Sequence, residues 1–174
     1  SSGMGAISAT LMALLNQGDH MVASADIYGG TYGLLTEEFP RFGISTTMAD
    51  MRDPASYEAA IQDNTKLLYI ETLTNPVLKV CDIEAMADVA KRHNLLLLID
   101  NTFASPWGCK PLDMGVDLVL HSTTKYLGGH SDILGGAVVG SKDLIAQIFM
   151  RKVHFGAAPD PHSCYLLERG MRTL

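Results

Sequence analysis

Cysteine is scarce and scattered in this chain, which already narrows what it can be. Cys81, Cys109 and Cys164 stand far apart and form no CxxC pair. An odd, dispersed set supports neither a disulfide framework nor a structural zinc site, and reads as buried free thiols in a reducing compartment. His121 and His130 form no metal-ligand cluster with a cysteine or carboxylate, so no metal is expected. Long apolar runs are missing too: the longest aliphatic stretch, residues 95–99, is far too short to span a bilayer. With no charged-then-apolar leader, a cytoplasmic location is expected. Positive charge is in the minority, 13 Lys and Arg against 19 Asp and Glu, for a net charge of −6. No basic field is available to attract nucleic acid or an anionic membrane, and neither is expected as a partner.

What the chain does have is an alternation of helical and strand patterns. Small and apolar residues recur at helical spacing over residues 3–15, and Gly18 stands where such a helix would stop. Residues 20–24 form a short apolar strand. Residues 31–42 predict a helix interrupted by Pro40, and residues 44–48 a further strand. Asp53-Pro54 starts a helix expected to run to about Asp63, with a capping carboxylate followed by proline. Residues 66–71 form a buried strand, and residues 72–80 a loop containing Asn75-Pro76. Asp82 caps a helix whose Ile83, Met86, Ala87 and Ala90 share one face.

Residues 95–99, 117–120 and 136–139 predict three more strands, the first ending on Asp100 and the second running into His121 to Lys125. Helices follow over residues 142–150 and from Asp160. Strands apolar on both faces and separated by helices imply a three-layer α/β domain: a mostly parallel central sheet with helices on both faces. Ligands of such sheets sit beyond the carboxyl ends of the strands. Glu71, Asp100 and the Ser122 to Lys125 stretch fall there.

Each of these features alone has an ordinary structural explanation; their joint occurrence at one sheet edge points to chemistry. A lysine at the end of a buried strand is costly to desolvate, and that cost makes an amine nucleophilic. Lys125 occupies such a place, next to the hydroxyls of Ser122, Thr123 and Thr124, which can bond a phosphate. Asp100 ends the most hydrophobic strand, where a carboxylate can pair with a protonated ring nitrogen and maintain an electron sink. Ser1-Ser2-Gly3-Met4-Gly5 leads straight into a helix, whose free N–H groups and dipole suit an anion. Tyr28 sits on a glycine turn, where its ring can stack on a flat cofactor. Gly128-Gly129-His130-Ser131-Asp132 lacks the lysine and spacing of a nucleotide phosphate loop.

The runs Ser2-Gly3-Met4, Tyr28-Gly29-Gly30-Thr31, Glu71-Thr72-Leu73-Thr74-Asn75-Pro76, Asp100-Asn101-Thr102-Phe103 and His121-Ser122-Thr123-Thr124-Lys125-Tyr126 resemble the Cys/Met-metabolism family of enzymes dependent on pyridoxal 5'-phosphate. The resemblance covers the whole chain. It implies the large domain of the type I fold of such enzymes. Lys125 would then form the internal aldimine and shuttle protons, and Asp100 would pair with the pyridine nitrogen. The backbone of Gly3 and Met4 and the hydroxyls of Ser122 and Thr124 would hold the phosphate. Tyr28 would stack on the ring and assist proton transfer to the leaving group, Asn75 would contact the ring's 3′ oxygen, and Thr102 would lie beneath the ring.

The activity so implied is γ-elimination or γ-replacement on a sulfur amino acid, of the cystathionine γ-lyase or γ-synthase type, with Lys125, Tyr28 and Asp100 catalytic. Gly30 favours that branch, because methionine γ-lyases commonly carry cysteine just after Tyr-Gly. The alternatives are methionine γ-lyase or O-acetylhomoserine sulfhydrylase, and, from another class, a non-catalytic module that kept the fold. Residues 1–174 are expected to form one domain of a longer protein, because the chain starts at Ser1 and ends within Glu168 to Leu174. The family's N-terminal arm and C-terminal small domain would be absent. The resemblance also implies homodimers or homotetramers with shared active sites.

Overall fold

The computed structural model describes residues 1–174. Its frame is a six-stranded sheet in the order β2-β1-β3-β4-β5-β6, with β1 at His20–Ser24, β2 at Ser45–Ala49, β3 at Thr65–Glu71, β4 at Leu96–Asp100, β5 at Leu118–Ser122 and β6 at Gly136–Gly140. The first five run parallel, and β6 pairs antiparallel with β5. The expected mostly parallel sheet therefore forms, closed at one edge by a reversed strand.

The strands show no polar alternation because both faces are covered. Met21, Ala23, Leu67, Tyr69, Leu98, Leu118 and Leu120 point into one apolar cluster, with Ile7, Leu11 and Ile148 from helices α1 (Gly3–Leu14) and α6 (Lys142–His154). Val22, Leu68, Ile70, Leu97, Ile99 and Val119 point the other way. They meet Tyr57 of α3 (Pro54–Ala59) and Ile83, Met86, Val89 and Ala90 of α4 (Ile83–Arg92). One strand thus feeds two cores, which is the three-layer arrangement that period-two side-chain direction requires. No helix is long and apolar enough to cross a membrane.

Capping chemistry sets the helix starts as the residue types dictate. Asp82 accepts the N–H of Ala85 at 3.1 Å, and Asp160 accepts that of Ser163 at 3.0 Å at the head of α7 (Pro161–Met171). Pro40 interrupts its helical segment as expected: α2 (Gly29–Gly33) and a π turn at Leu34–Glu38 end before it, and a separate 3-10 turn follows at Phe39–Phe42, where proline at an early position needs no N–H partner. The helix begun at Asp53 ends at Ala59, short of Asp63, because residues 62–64 turn the chain into β3. Two short elements, α5 (Ser105–Gly108) and a 3-10 turn at Pro111–Met114, sit where no periodicity is legible.

Helix α1 lies unusually close to the β5–β6 edge. A Cβ on Gly136 would stand 2.2 Å from the Ser2 carbonyl oxygen, and one on Gly3 would stand 2.8 Å from the Ser122 Cβ. The first turn of α1 reaches the strand ends because neither glycine has a side chain. Gly136→Ala should therefore push against backbone rather than a movable side chain. We expect a stability loss of roughly 1–3 kcal/mol, seen as a lower urea midpoint with an unchanged m value. A midpoint equal to that of the parent would show that α1 is not packed this tightly.

Candidate active site

The carboxyl ends of β3, β4 and β5 finish side by side. Glu71 and Asp100 are register partners, and Asp100 in turn pairs with Leu120, two residues before the end of β5. The N-terminus of α1 crosses this edge and closes a cavity of about 340 Å³. Every residue expected to bind cofactor lines it: Gly3, Met4, Tyr28, Asn75, Asp100, Thr102, Ser122, Thr124 and Lys125. They come from five separate stretches of sequence, and only the parallel register brings them together.

Asp100 is the best-anchored group of the site. Its Oδ1 accepts both the N–H and the hydroxyl of Thr102, at 2.9 and 2.5 Å, while the Thr102 oxygen accepts the N–H of Ser122 at 2.8 Å. Thr102 is thus a clamp between β4 and β5. Burial pushes the Asp100 carboxyl above its ordinary range, and the two Thr102 donors pull the other way. Both donors fall on Oδ1, which leaves Oδ2 for a donor from outside the protein, such as a ring N–H.

The other end of the cavity suits an anion. The N–H groups of Gly3 and Met4 open α1 and have no carbonyl four residues back, while Ser2 caps the Gly5 N–H at 2.9 Å. Ser122 packs against Gly3. The hydroxyl of Thr124 is already engaged with Gly135, accepting its N–H at 3.1 Å. Thr124 therefore lines the site with a hydroxyl that is shared.

Lys125 departs from the expected setting. It stands beyond the end of β5 in a tight turn, its N–H on the Ser122 carbonyl at 3.2 Å and its own carbonyl accepting the Gly129 N–H at 2.8 Å, and its side chain is exposed. The strand does not desolvate this amine. Tyr28 is 47% exposed, with its N–H bonded to Glu71 Oε1 at 2.8 Å. Asn75 is exposed in the loop after β3 and precedes a cis proline.

Some walls of the cavity carry no signal in residue type or spacing alone. Leu73, Phe103 and Leu134 line it from loops, where apolar residues look like ordinary loop contacts. Glu71 was legible only as a strand-end carboxyl, although it is buried in the wall. His121 is buried as well, outside the lining of the cavity. No three His, Cys, Asp or Glu side chains gather into a metal site.

A pyridoxal phosphate fits what is present: an uncommitted Asp100 oxygen, open N–H groups at the head of α1 and a reachable amine. Comparison with known proteins agrees. Cystathionine gamma-lyase of Bacillus subtilis (strain 168) is 49% identical over 175 residues, covering all of this chain and 46% of the relative. A probable cystathionine gamma-synthase of Herpetosiphon aurantiacus is 47% identical, covering all of this chain and 54% of the relative. The chain thus spans about half the length of the curated relatives it matches. The crystal structure of cystathionine gamma-lyase from Lactobacillus plantarum complexed with L-serine superposes with a TM-score of 0.96 at 47% identity. That match covers 99% of this chain and 45% of the other, and it carries the type I fold of the pyridoxal-phosphate enzymes. Residues 1–174 match the Cys/Met metabolism PLP-dependent enzymes, and the chain belongs to that family.

Proposed function

We propose that the protein is a sulfur amino-acid enzyme that uses pyridoxal phosphate for γ-elimination or γ-replacement, of the cystathionine γ-lyase or γ-synthase type. The observation that carries this reading is the single cavity shared by Lys125, Asp100, Tyr28 and the head of α1. When bound, the cofactor supplies an electron-poor ring that accepts the electrons of a bond broken at the substrate's α-carbon. The rest is work for the chain's own side chains. Asp100 Oδ2 would keep the ring nitrogen protonated, with the two Thr102 donors on Oδ1 fixing the carboxyl's orientation. The N–H groups of Gly3 and Met4 and the hydroxyls of Ser122 and Thr124 would hold the phosphate. Lys125 Nζ would hold the cofactor covalently and would move protons at the substrate's α- and β-carbons. The Tyr28 ring would stack on the cofactor and its Oη would assist proton transfer to the leaving group, while Asn75 would meet the ring's 3′ oxygen.

No arginine lines the cavity. An amino-acid carboxylate and a doubly charged phosphate need cationic partners, so in this reading residues 1–174 are the cofactor-binding large domain. The missing cations come from other parts of the protein or from a neighbouring subunit in a homodimer or homotetramer. Gly30 supports the cystathionine branch over a methionine γ-lyase. A Cβ there would stand 2.6 Å from Tyr28 Cε1 and 3.2 Å from Met4 Sδ, so any side chain at 30 must displace the Tyr28 ring.

The direct test is a visible absorption titration with pyridoxal phosphate. We expect a lysine-bound cofactor band that borohydride traps in the parent and that is absent in Lys125→Ala. No band in the complete protein would sink the reading. Product analysis then separates the activities: cysteine and 2-oxobutanoate from cystathionine support it, and methanethiol from methionine as the preferred product favours a methionine γ-lyase. Gly30→Cys should lower kcat/KM on cystathionine by up to about 100-fold, the scale expected when a catalytic ring is misplaced by about 1 Å.

A further inference from the structure

Glu71 is the one carboxyl in the cavity wall that the proposed chemistry leaves idle, and its surroundings are unusual. It is 4% exposed at the last position of β3. Its Oε1 accepts the main-chain N–H of Tyr28 at 2.8 Å, while its Oε2 is buried with no partner. On the neighbouring strand its register partner is Asp100, a second carboxyl in the same cavity.

We propose that Glu71 is a positioning residue that, as a neutral carboxylic acid, tethers the main chain of Tyr28 to the end of β3 and so sets the ring that walls the cavity. The inference rests on the cofactor reading of this cavity and extends it to a residue outside the expected set.

Two physical arguments carry it. The first is mechanical. Tyr28 stands at the N-terminus of α2 between buried Ile27 and Thr31, but its own ring is 47% exposed and the next two residues are glycines. The Glu71 bond is what joins Tyr28 itself to the sheet. The half-buried Lys79–Asp26 ion pair, at 2.5 Å, restrains the residues before it. With the turn loose, the Tyr28 ring would have no fixed distance to a ligand.

The second argument is electrostatic. Two ionised carboxyls at adjacent strand ends would repel in a poorly solvated site. Asp100 holds two donors and Glu71 one, so the charge settles on Asp100 and the proton on Glu71. An orphan carboxylate oxygen in the wall would be an uncompensated charge, whereas a protonated one is only an unmatched hydroxyl. Burial raises the Glu71 carboxyl to about 7, the Tyr28 N–H opposing and Asp100 adding to the rise. The other groups that bear on it leave this balance in place. The phenols of Tyr69 and Tyr57 are pushed up, mainly by burial, and stay neutral. From α1, Met4 and Ile7 line the cavity without charge, and Lys125 is an exposed cation in its lining.

The test uses the complete protein without cofactor, as parent, Glu71→Gln and Glu71→Ala. Glutamine keeps the shape and the acceptor oxygen but carries no charge; alanine removes the tether. We expect the Tyr28 amide to exchange with solvent about tenfold faster in Glu71→Ala and at the parent's rate in Glu71→Gln. Pyridoxal phosphate affinity should follow the same order, with about tenfold weakening in the alanine variant alone. The infrared spectrum of the parent should show a buried carboxylic-acid carbonyl that disappears with a midpoint near pH 7 and is missing from Glu71→Gln. Unchanged Tyr28 protection in Glu71→Ala overturns the tether. A Glu71→Gln protein as defective as Glu71→Ala overturns the neutral form, since charge would then be essential. If Glu71→Ala does not fold, the infrared band and the retained Tyr28 protection of Glu71→Gln decide alone. Failure of the parent to bind cofactor would count against the proposed function, while amide exchange and infrared absorption would still report on the tether.

Discussion

The site depends on how closely the first turn of α1 approaches the ends of β5 and β6. Backbone N–H groups attract an anion only over a short range, and a helix terminus a few ångströms further away would face solvent instead. Glycine at positions 3 and 136 removes the two side chains that would hold the helix off, as the contacts with Ser122 and the Ser2 carbonyl show. The approach has a cost, because glycine is entropically unfavourable in both a helix and a strand. The apolar face of α1, with Ile7 and Leu11 buried against the sheet, offsets it. Packing energy from the interior of the helix therefore maintains the geometry of its exposed end.

From that placement the electrostatics follow. The free N–H groups at the head of α1, a carboxylate with one free oxygen and an exposed amine beyond β5 all line one cavity. Asp100 supplies charge that burial makes costly, and the Thr102 clamp with Ser122 behind it repays part of that cost while fixing the direction of the free oxygen. A second buried carboxyl, Glu71, is tolerable beside it only if it stays protonated. The lining as a whole has one lysine and no arginine. It is polarised toward a flat ligand with a phosphate, and it lacks the second cation that a free amino acid would need.

The elements that could be read from residue order were those whose signal is local. Residues 20–24 form β1 as expected, and Asp82 and Asp160 cap the helices that follow them, because capping and apolar runs act within a few residues. Pro40 ends the ladder before it because it has no N–H, which is a local effect too. The short helices at Ser105–Gly108 and Pro111–Met114 are too brief for periodicity to show. Lys125 was expected to be desolvated by its strand. The strand in fact ends at Ser122, and the turn carries the amine out to the surface.

The sequence by itself determined which residue types are available and in what order: a lysine after hydroxyls, a carboxylate closing an apolar strand, a serine-capped helix head and a tyrosine on a glycine turn. Their order along the chain also carried the resemblance to the family. The tertiary structure decided what those residues do to one another, because strand register is a long-range property and places Glu71 beside Asp100 although 28 residues separate them. It also decided that both Thr102 donors fall on one oxygen of Asp100 and that the Thr124 hydroxyl is spent on Gly135. Which lone pairs and N–H groups remain free is settled only after packing has used the others.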